Sequence, residues 1–317
     1  MLGGAELWAV VKADAYGHGA VEVARAALEE GAGALCVATI GEGLSLRAAF
    51  PETRILVMGP CADTELGTAR EARLELAVAQ LPFPEGVRIH LKLDTGMGRF
   101  GMAKVASPPA NAIGLMSHFA TADVDRQYAE RQLERFRAAA SALPELEAHI
   151  ANSAAALRLP SSRFFSARCG VALYGLSPFG ADPAEDGLEP VLAWRSELAQ
   201  VKLLDIGDST GYGRRFVAER PTWIGLVPVG YGDGFRRDLT GTAVLVDGER
   251  RPVVGTVSMD SFAVRLPGEL PRGTPVTLVG DGVLVEEHAR IAGTINYEIT
   301  TGIESSPERA QRMFVHG

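Results

Sequence analysis

Trp8-Ala9-Val10-Val11-Lys12-Ala13-Asp14-Ala15-Tyr16-Gly17-His18-Gly19 is the stretch on which the reading of this chain turns. Four apolar residues predict a buried strand, and a lysine stands at its C-terminal end. Burial there lowers an amine's pKa and frees the lone pair that adds to an aldehyde carbon. The plain alternative is a strand-end lysine whose stem packs while its ammonium reaches water.

Working outward, the first half alternates short apolar runs with amphipathic stretches, the pattern of parallel strands joined by crossover helices. Strands are expected at 6–11, 34–39, 54–58, 74–78, 88–94, 112–118, 148–152 and 168–174. Eight of them predict an α/β fold, a (β/α)8 TIM-type barrel, whose chemistry collects at the C-terminal strand ends. Lys12, Asp94, His118 and Asn152 lie at such ends. Two crossovers leave no room for a full helix: Gln80 to Val87 carries two prolines, and Gly96 to Asn111 contains Pro108-Pro109. Either the barrel has trimmed outer helices or crossover segments are absent from this sequence, and the residues leave both readings open. Beyond about Phe179 the texture changes to Pro, Gly and Asp punctuation between alternating strands, which predicts a mainly β C-terminal domain. Strands are expected there at 191–204, 222–229, 243–246, 251–264 and 276–279, with a hairpin turn at Asp247-Gly248 and a helix over 285–292. The expected division is a barrel over 1–180 and a β-domain over 181–317.

An apolar fraction of 47% in 317 residues supports two sizeable cores, and a net charge of -8 argues against nucleic-acid or anionic-membrane partners. Cys36, Cys61 and Cys169 are few, scattered and odd in number, so neither a disulfide framework nor a metal site is indicated. A reducing, cytoplasmic setting fits best, and no apolar run is long enough to span a membrane.

Further motifs carry chemistry. Lys92-Leu93-Asp94-Thr95-Gly96-Met97-Gly98-Arg99-Phe100-Gly101 combines a glycine-rich turn with Arg99, a planar donor fork suited to a carboxylate or phenolate. It is not a P-loop, because GxxxxGK[ST] is absent. His149-Ile150-Ala151-Asn152-Ser153 ends a strand where a serine hydroxyl and backbone N–H groups can bind phosphate. Arg168-Cys169-Gly170-Val171-Ala172-Leu173-Tyr174-Gly175 places a glycine where barrels of this type hold phosphate. Ser209-Thr210-Gly211-Tyr212-Gly213 leaves a tyrosine unobstructed between glycines.

Together, and in this order, these motifs resemble the bacterial alanine racemases, fold-type III pyridoxal-phosphate enzymes, from Trp8 to about Ile303. The resemblance implies pyridoxal 5'-phosphate as cofactor, alanine as substrate and interconversion of its L and D forms, which supplies D-alanine for peptidoglycan. Lys12 would carry the cofactor and act as one of two bases, with Tyr212 as the other on the opposite substrate face. Tyr212 would come from a second copy of the chain, so a homodimer with shared active sites is implied. Tyr16, His118, Asn152, Ser153, Gly170, Val171 and Tyr297 would bind the cofactor. Arg168 would meet its pyridine nitrogen, oriented by His149. Arg99 and the backbone of Met259 would hold the substrate carboxylate, with Lys92, expected as a carbamate, and Asp260 in support. Thr256 stands where the family pattern expects an arginine. A broader amino-acid or serine racemase is the alternative activity. A non-catalytic pyridoxal-phosphate barrel protein is another, disfavoured by the β-domain and its tyrosine. A catalytically dead, trimmed barrel is the third.

Overall fold

The computed structural model describes residues 2–105 and 107–315. The chain divides into two compact units, Met1–Leu173 and Tyr174–Gly317.

The first unit is built on eight strands: β1 Glu6–Val10, β2 Ala34–Val37, β3 Ile55–Val57, β4 Glu75–Val78, β5 Ile89–Lys92, β6 Ala112–Met116, β7 Glu147–His149 and β8 Ser166–Cys169. All pair in parallel, β1 through β7 in chain order with β8 beside β1. The remaining seam is joined where the N–H groups of Phe165 and Arg168 donate to Ala148 O and Ala151 O, each at 3.0 Å. A closed barrel follows, as expected from eight strand-like runs. Strand interiors such as Ala34–Val37 and Ile55–Val57 are fully buried, because a parallel sheet is covered on both faces.

Helices Ala20–Glu29, Ile40–Ala49, Leu66–Glu71, Arg126–Ala142 and Ser153–Arg158 supply five crossovers. Among the described residues, no helix joins β4 to β5 or β5 to β6. The prolines that forbid one are those noted in the sequence. Two strands depart from expectation: the seventh runs over Glu147–His149 rather than 148–152, and the eighth over Ser166–Cys169 rather than 168–174. Past Cys169 the amides of Gly170 and Ala172 turn to the Ser153 hydroxyl, so they are withdrawn from any ladder.

In the second unit the strands are β9 Trp194–Glu197, β10 Gln200–Leu204, β11 Ser209–Thr210, β12 Phe216–Val217, β13 Thr222–Val227, β14 Ala243–Val246, β15 Glu249–Val254, β16 Phe262–Arg265 and β17 Pro275–Val279. Seven form an antiparallel sheet in the order β10-β13-β16-β15-β14-β17-β9, and β11 pairs with β12. Asp247 (φ 53°) and Gly248 (φ 78°) make the expected two-residue turn between β14 and β15. Two expected strands are each broken in two. At Leu198–Ala199 the chain exchanges one partner for another, β9 pairing with β17 and β10 with β13. Between β15 and β16, Gly255 takes φ 70° and the chain leaves the sheet, carrying Met259 and Asp260. Helix Val285–Ala292 lies where the pattern put it, whereas Asn296–Thr301 is a six-residue helix too short to announce itself. No helix among the described residues is long and apolar enough to cross a membrane.

Candidate active site

Lys12 lies two residues past the end of β1 and is half-buried. Burial, and then the positive charge of Arg99, hold its amine below the usual lysine range, against an opposing pull from Glu42. The four residues after it adopt left-handed backbone: Ala13, Asp14, Ala15 and Tyr16 have φ of 50°, 50°, 56° and 56°. None is glycine, so each costs about 1–2 kcal/mol relative to ordinary helical backbone. The turn is held from both ends. Glu42 accepts from the N–H of Ala13 and of Ala38, each at 2.7 Å, and Asp14 accepts from Ala20 N–H at 2.8 Å. Thr39 and Glu42 form a reciprocal capping box that fixes the carboxylate doing this work.

The strained turn brings Tyr16 against the end of β8. A Cβ at Gly170 would collide with the Tyr16 hydroxyl, so only glycine lets the two meet. Beside them, Ser153 Oγ accepts from Gly170 N–H at 3.0 Å and Ala172 N–H at 3.3 Å, while Asn152 caps its helix through Ala155 N–H at 3.0 Å. Val171 is buried between the two donating amides. Burial pushes the Tyr16 phenol up to about 12, which keeps it protonated. Two hydroxyls and converging backbone amides are the donor set that a phosphate monoester needs.

Arg168 is buried, and desolvation draws it down to about 10 against the raising influence of Cys36 and Cys169. Its NH1 donates to His149 Nδ1 and, at 3.0 Å, to His149 O. Its NH2 donates to Ser117 O at 2.7 Å and lies 3.4 Å from His118 Nδ1. Among the described residues its Nε–H meets no acceptor, which fits a guanidinium offering one donor to a ring nitrogen. His118 is half-buried; desolvation, and then the charges of Arg168, Arg99, Lys92 and Lys12, push it down to about 3, so it is neutral.

Lys92 ends β5, buried and 5.6 Å from the centroid of Phe100. Burial, then Arg99, Arg168 and Lys12, bring its amine down to about 8. The simple alternative, a Lys92–Asp94 pair, does not form: the Asp94 carboxylate accepts from the N–H groups of Gly96, Met97 and Gly98 at 2.8–3.2 Å instead. Arg99 is exposed on the loop these bonds shape.

Several supporting residues escaped the sequence reading. Tyr128 donates to Gly96 O at 2.8 Å, and Gln132 donates to His118 O at 3.2 Å and accepts from Ala120 N–H at 2.9 Å. Thr95 and Ser117 share a buried hydroxyl contact at 2.9 Å. His90 and Glu75 lie in the barrel interior behind His149. Only Glu42 had a local signal, the Thr-x-x-Glu spacing of a capping box. The others become visible only when distant strands and helices are brought together.

Tyr212, Met259, Asp260 and Tyr297 belong to the second unit. Tyr212 is 74% exposed, unusual for a tyrosine, and its carbonyl is held by Thr256 Oγ1 at 2.8 Å. Met259 is 49% exposed, its carbonyl bonded by Gly232 N–H at 2.9 Å. Asp260 pairs with Arg309 at 2.9 Å, and Tyr297 is half-buried in the helix Asn296–Thr301.

Sequence comparison gives the same partition. The model for "Alanine racemase, N-terminal domain" matches residues 1–178, and that for the C-terminal domain of the same enzyme matches 191–312. An alanine racemase of Listeria monocytogenes is 38% identical, covering 98% of this chain and 91% of its own. One from Geobacillus stearothermophilus is 40% identical, covering 92% and 83%. The Listeria alignment spans 340 positions against 317 residues here, so that relative carries segments this chain lacks. Among solved structures, an alanine racemase from E. faecalis superposes with a TM-score of 0.87 at 38% identity, covering 95% of this chain and 90% of that one. Another from Bacillus anthracis, with bound L-Ala-P, superposes at 0.85 with 37% identity, covering 95% and 86%. Barrel, β-domain, strand-end lysine and full-length similarity converge: this chain belongs to the alanine racemase family.

Proposed function

We propose that this protein interconverts L- and D-alanine with pyridoxal 5'-phosphate, supplying D-alanine for peptidoglycan. The observation that carries the reading is the mouth of one barrel, where an amine of lowered pKa, an uncommitted guanidinium N–H and a glycine-permitted hydroxyl and amide cradle sit on neighbouring strand ends. When bound, the cofactor supplies a conjugated electron-withdrawing system that acidifies the substrate α-carbon.

Lys12 Nζ would hold the aldehyde carbon, and Tyr16, Asn152, Ser153, Gly170, Val171 and Tyr297 would hold the phosphate. His118 lies alongside the ring as a neutral imidazole. With the cofactor bound, Arg168 would give its free N–H to the ring nitrogen and, unable to surrender a proton, would leave that nitrogen unprotonated.

Lys12 Nζ moves the α-proton on one face of the substrate, and Tyr212 Oη moves it on the other. Two groups are needed because one base tends to return its proton to the face it came from. Tyr212 is supplied by a second copy of the chain, so the working form is a homodimer with composite sites; a tyrosine left 74% exposed supports that assignment. Arg99 and the backbone of Met259 bind the substrate carboxylate, and Asp260 supports that loop. Lys92, crowded by cations and with an amine drawn to about 8, is suited to react with carbon dioxide and present an anion to Arg99. The division of labour is a cofactor-binding barrel over 1–180 and a β-domain over 181–317. Free thiols at Cys36, Cys61 and Cys169 favour the reducing cytoplasm as its compartment.

The test is direct. Purified protein with pyridoxal phosphate and L-alanine is coupled to D-amino-acid oxidase. Steady D-alanine production supports the reading, and none in either direction overturns it. Parallel kinetics with serine measure how strictly alanine is preferred.

A further inference from the structure

Behind Arg168 the barrel interior holds a line of polar side chains with no catalytic contact of their own. His149 Nε2 lies 2.9 Å from His90 Nδ1, and His90 Nε2 lies 2.9 Å from Glu75 Oε2. Glu75 is in turn bound by Arg54, Nε to Oε1 and NH2 to Oε2, each at 3.1 Å, and Arg54 reaches Glu147 at 2.7 Å. His90 and His149 are fully buried and Glu75 is 3% exposed. Trp8 packs against both imidazoles, with centroids at 5.6 Å and 4.6 Å.

We propose that Glu75 is a positioning residue for Arg168: through His90 it sets the tautomers of two buried imidazoles, so that His149 always turns a lone pair to the guanidinium. The proposal rests on the reading of Arg168 as the cofactor's ring-nitrogen partner.

Glu75 is where the direction starts. Burial pushes its carboxyl up, but the bonds from His90 and Arg54 outweigh that and hold it down at about 2, so it is an obligate acceptor. His90 Nε2 must then carry the proton, and because burial keeps this imidazole neutral, its Nδ1 is a lone pair. His149 Nε2–H donates to that lone pair, which leaves His149 Nδ1 to accept from Arg168, a residue that can only donate. Every link has one donor and one acceptor. Reversing any one of them sets two donors or two acceptors face to face in a dry interior.

Replacement of Glu75 by its amide isostere exposes the device. At either carboxylate position the new –NH2 opposes a donor of Arg54, Nε at Oε1 and NH2 at Oε2, and at Oε1 it also meets the Arg88 charge at 3.4 Å. Where it takes the Oε2 position, His90 can accommodate it by moving its own proton to Nδ1. His149 must then place its proton on Nδ1, facing Arg168.

Glu75→Gln is compared with wild type by 15N chemical shifts of labelled histidines and by alanine kinetics. The expected wild-type result is an Nε2–H tautomer alone at both His90 and His149, and in the variant an added population with Nδ1–H at both. A fall in kcat of about 10- to 100-fold, with alanine KM changed less than about twofold, accompanies it, the size usual for groups that orient a reacting residue. An Nδ1–H tautomer at either histidine in wild type, or unchanged tautomers or kcat in the variant, overturns the proposal. If Glu75→Gln does not fold, the wild-type tautomers decide alone. Failure of the underlying reading is told apart by Arg168→Lys: should that variant keep wild-type kcat, Arg168 does not serve the cofactor, whatever the histidines do.

Discussion

The two units have opposite interiors. The barrel encloses Arg54, Glu75, His90, His149 and Arg168 around Trp8, all joined in one hydrogen-bonded chain. The β-domain core is apolar: Leu198, Val227, Phe235, Phe262, Val264, Val276 and Leu278, with Phe235 and Phe262 stacked at 4.4 Å. Its buried His288 packs edge-on against Phe235, and neither ring nitrogen has a hydrogen-bond partner among the described residues. Buried charges add little net stability compared with well-packed hydrocarbon, but they fix orientation. One interior ties a buried guanidinium into a hydrogen-bonded network, whereas the other packs hydrocarbon beneath a sheet.

The largest effect expected from this contrast is at the barrel mouth. Lys12→Ala should abolish racemisation in both directions, by about 10⁴-fold or more, and remove the long-wavelength cofactor absorbance while circular dichroism stays unchanged. Retention of that band would show that another group carries the cofactor. Tyr212→Phe comes next, with proton removal from L-alanine slowed by about 10²- to 10⁴-fold while isotope exchange from D-alanine persists. Equal loss of both exchanges would refute the assignment of one base to each face.

Within the β-domain the cost of a change should appear as stability. Phe262→Ala removes a stacked, buried ring and should cost about 3–5 kcal/mol in denaturant unfolding, whereas the cofactor band of the folded fraction should be retained. Loss of that band from folded protein would mean the two interiors are not separable in role.

Acid should separate them more gently. In the barrel, burial lowers His90, His118 and His149, the second to about 3, whereas the β-domain core offers His288 at about 4. Above pH about 6.5 these groups are neutral folded or unfolded, and their neutrality costs nothing. As pH falls below that value the unfolded chain takes up protons the folded barrel refuses, so stability declines, with three such groups in one unit against one in the other. Glu75, held at about 2, adds a further loss below about pH 4.5 as the unfolded carboxyl protonates first. Fluorescence of Trp8, compared with Trp194 and Trp223 in single-tryptophan variants, should report an acid midpoint at higher pH for the barrel. Coincident midpoints would erase the distinction.

Much of this was legible from residue order. Apolar runs ending near Lys12, Asp94, His118 and Asn152 marked the barrel strands, because strand periodicity is a local property. Prolines at 82, 84, 108 and 109 likewise announced the two crossovers without helices. The extent of β8 was misread because the residues that draw Gly170 and Ala172 out of the ladder lie on the preceding crossover.

What the sequence determined alone was the kind of barrel and the identity of the groups at its mouth, since residue type and spacing suffice for both. What the tertiary structure alone decided was how those groups are held: the left-handed turn after Lys12, tied down by Glu42 from the next crossover, and the relay from Glu75 to Arg168. His90 faces Glu75 and His149 only through the parallel registers of β4 to β7. A hydrogen bond between strands tens of residues apart depends on register and on exclusion of water, and neither is written in any local stretch of chain.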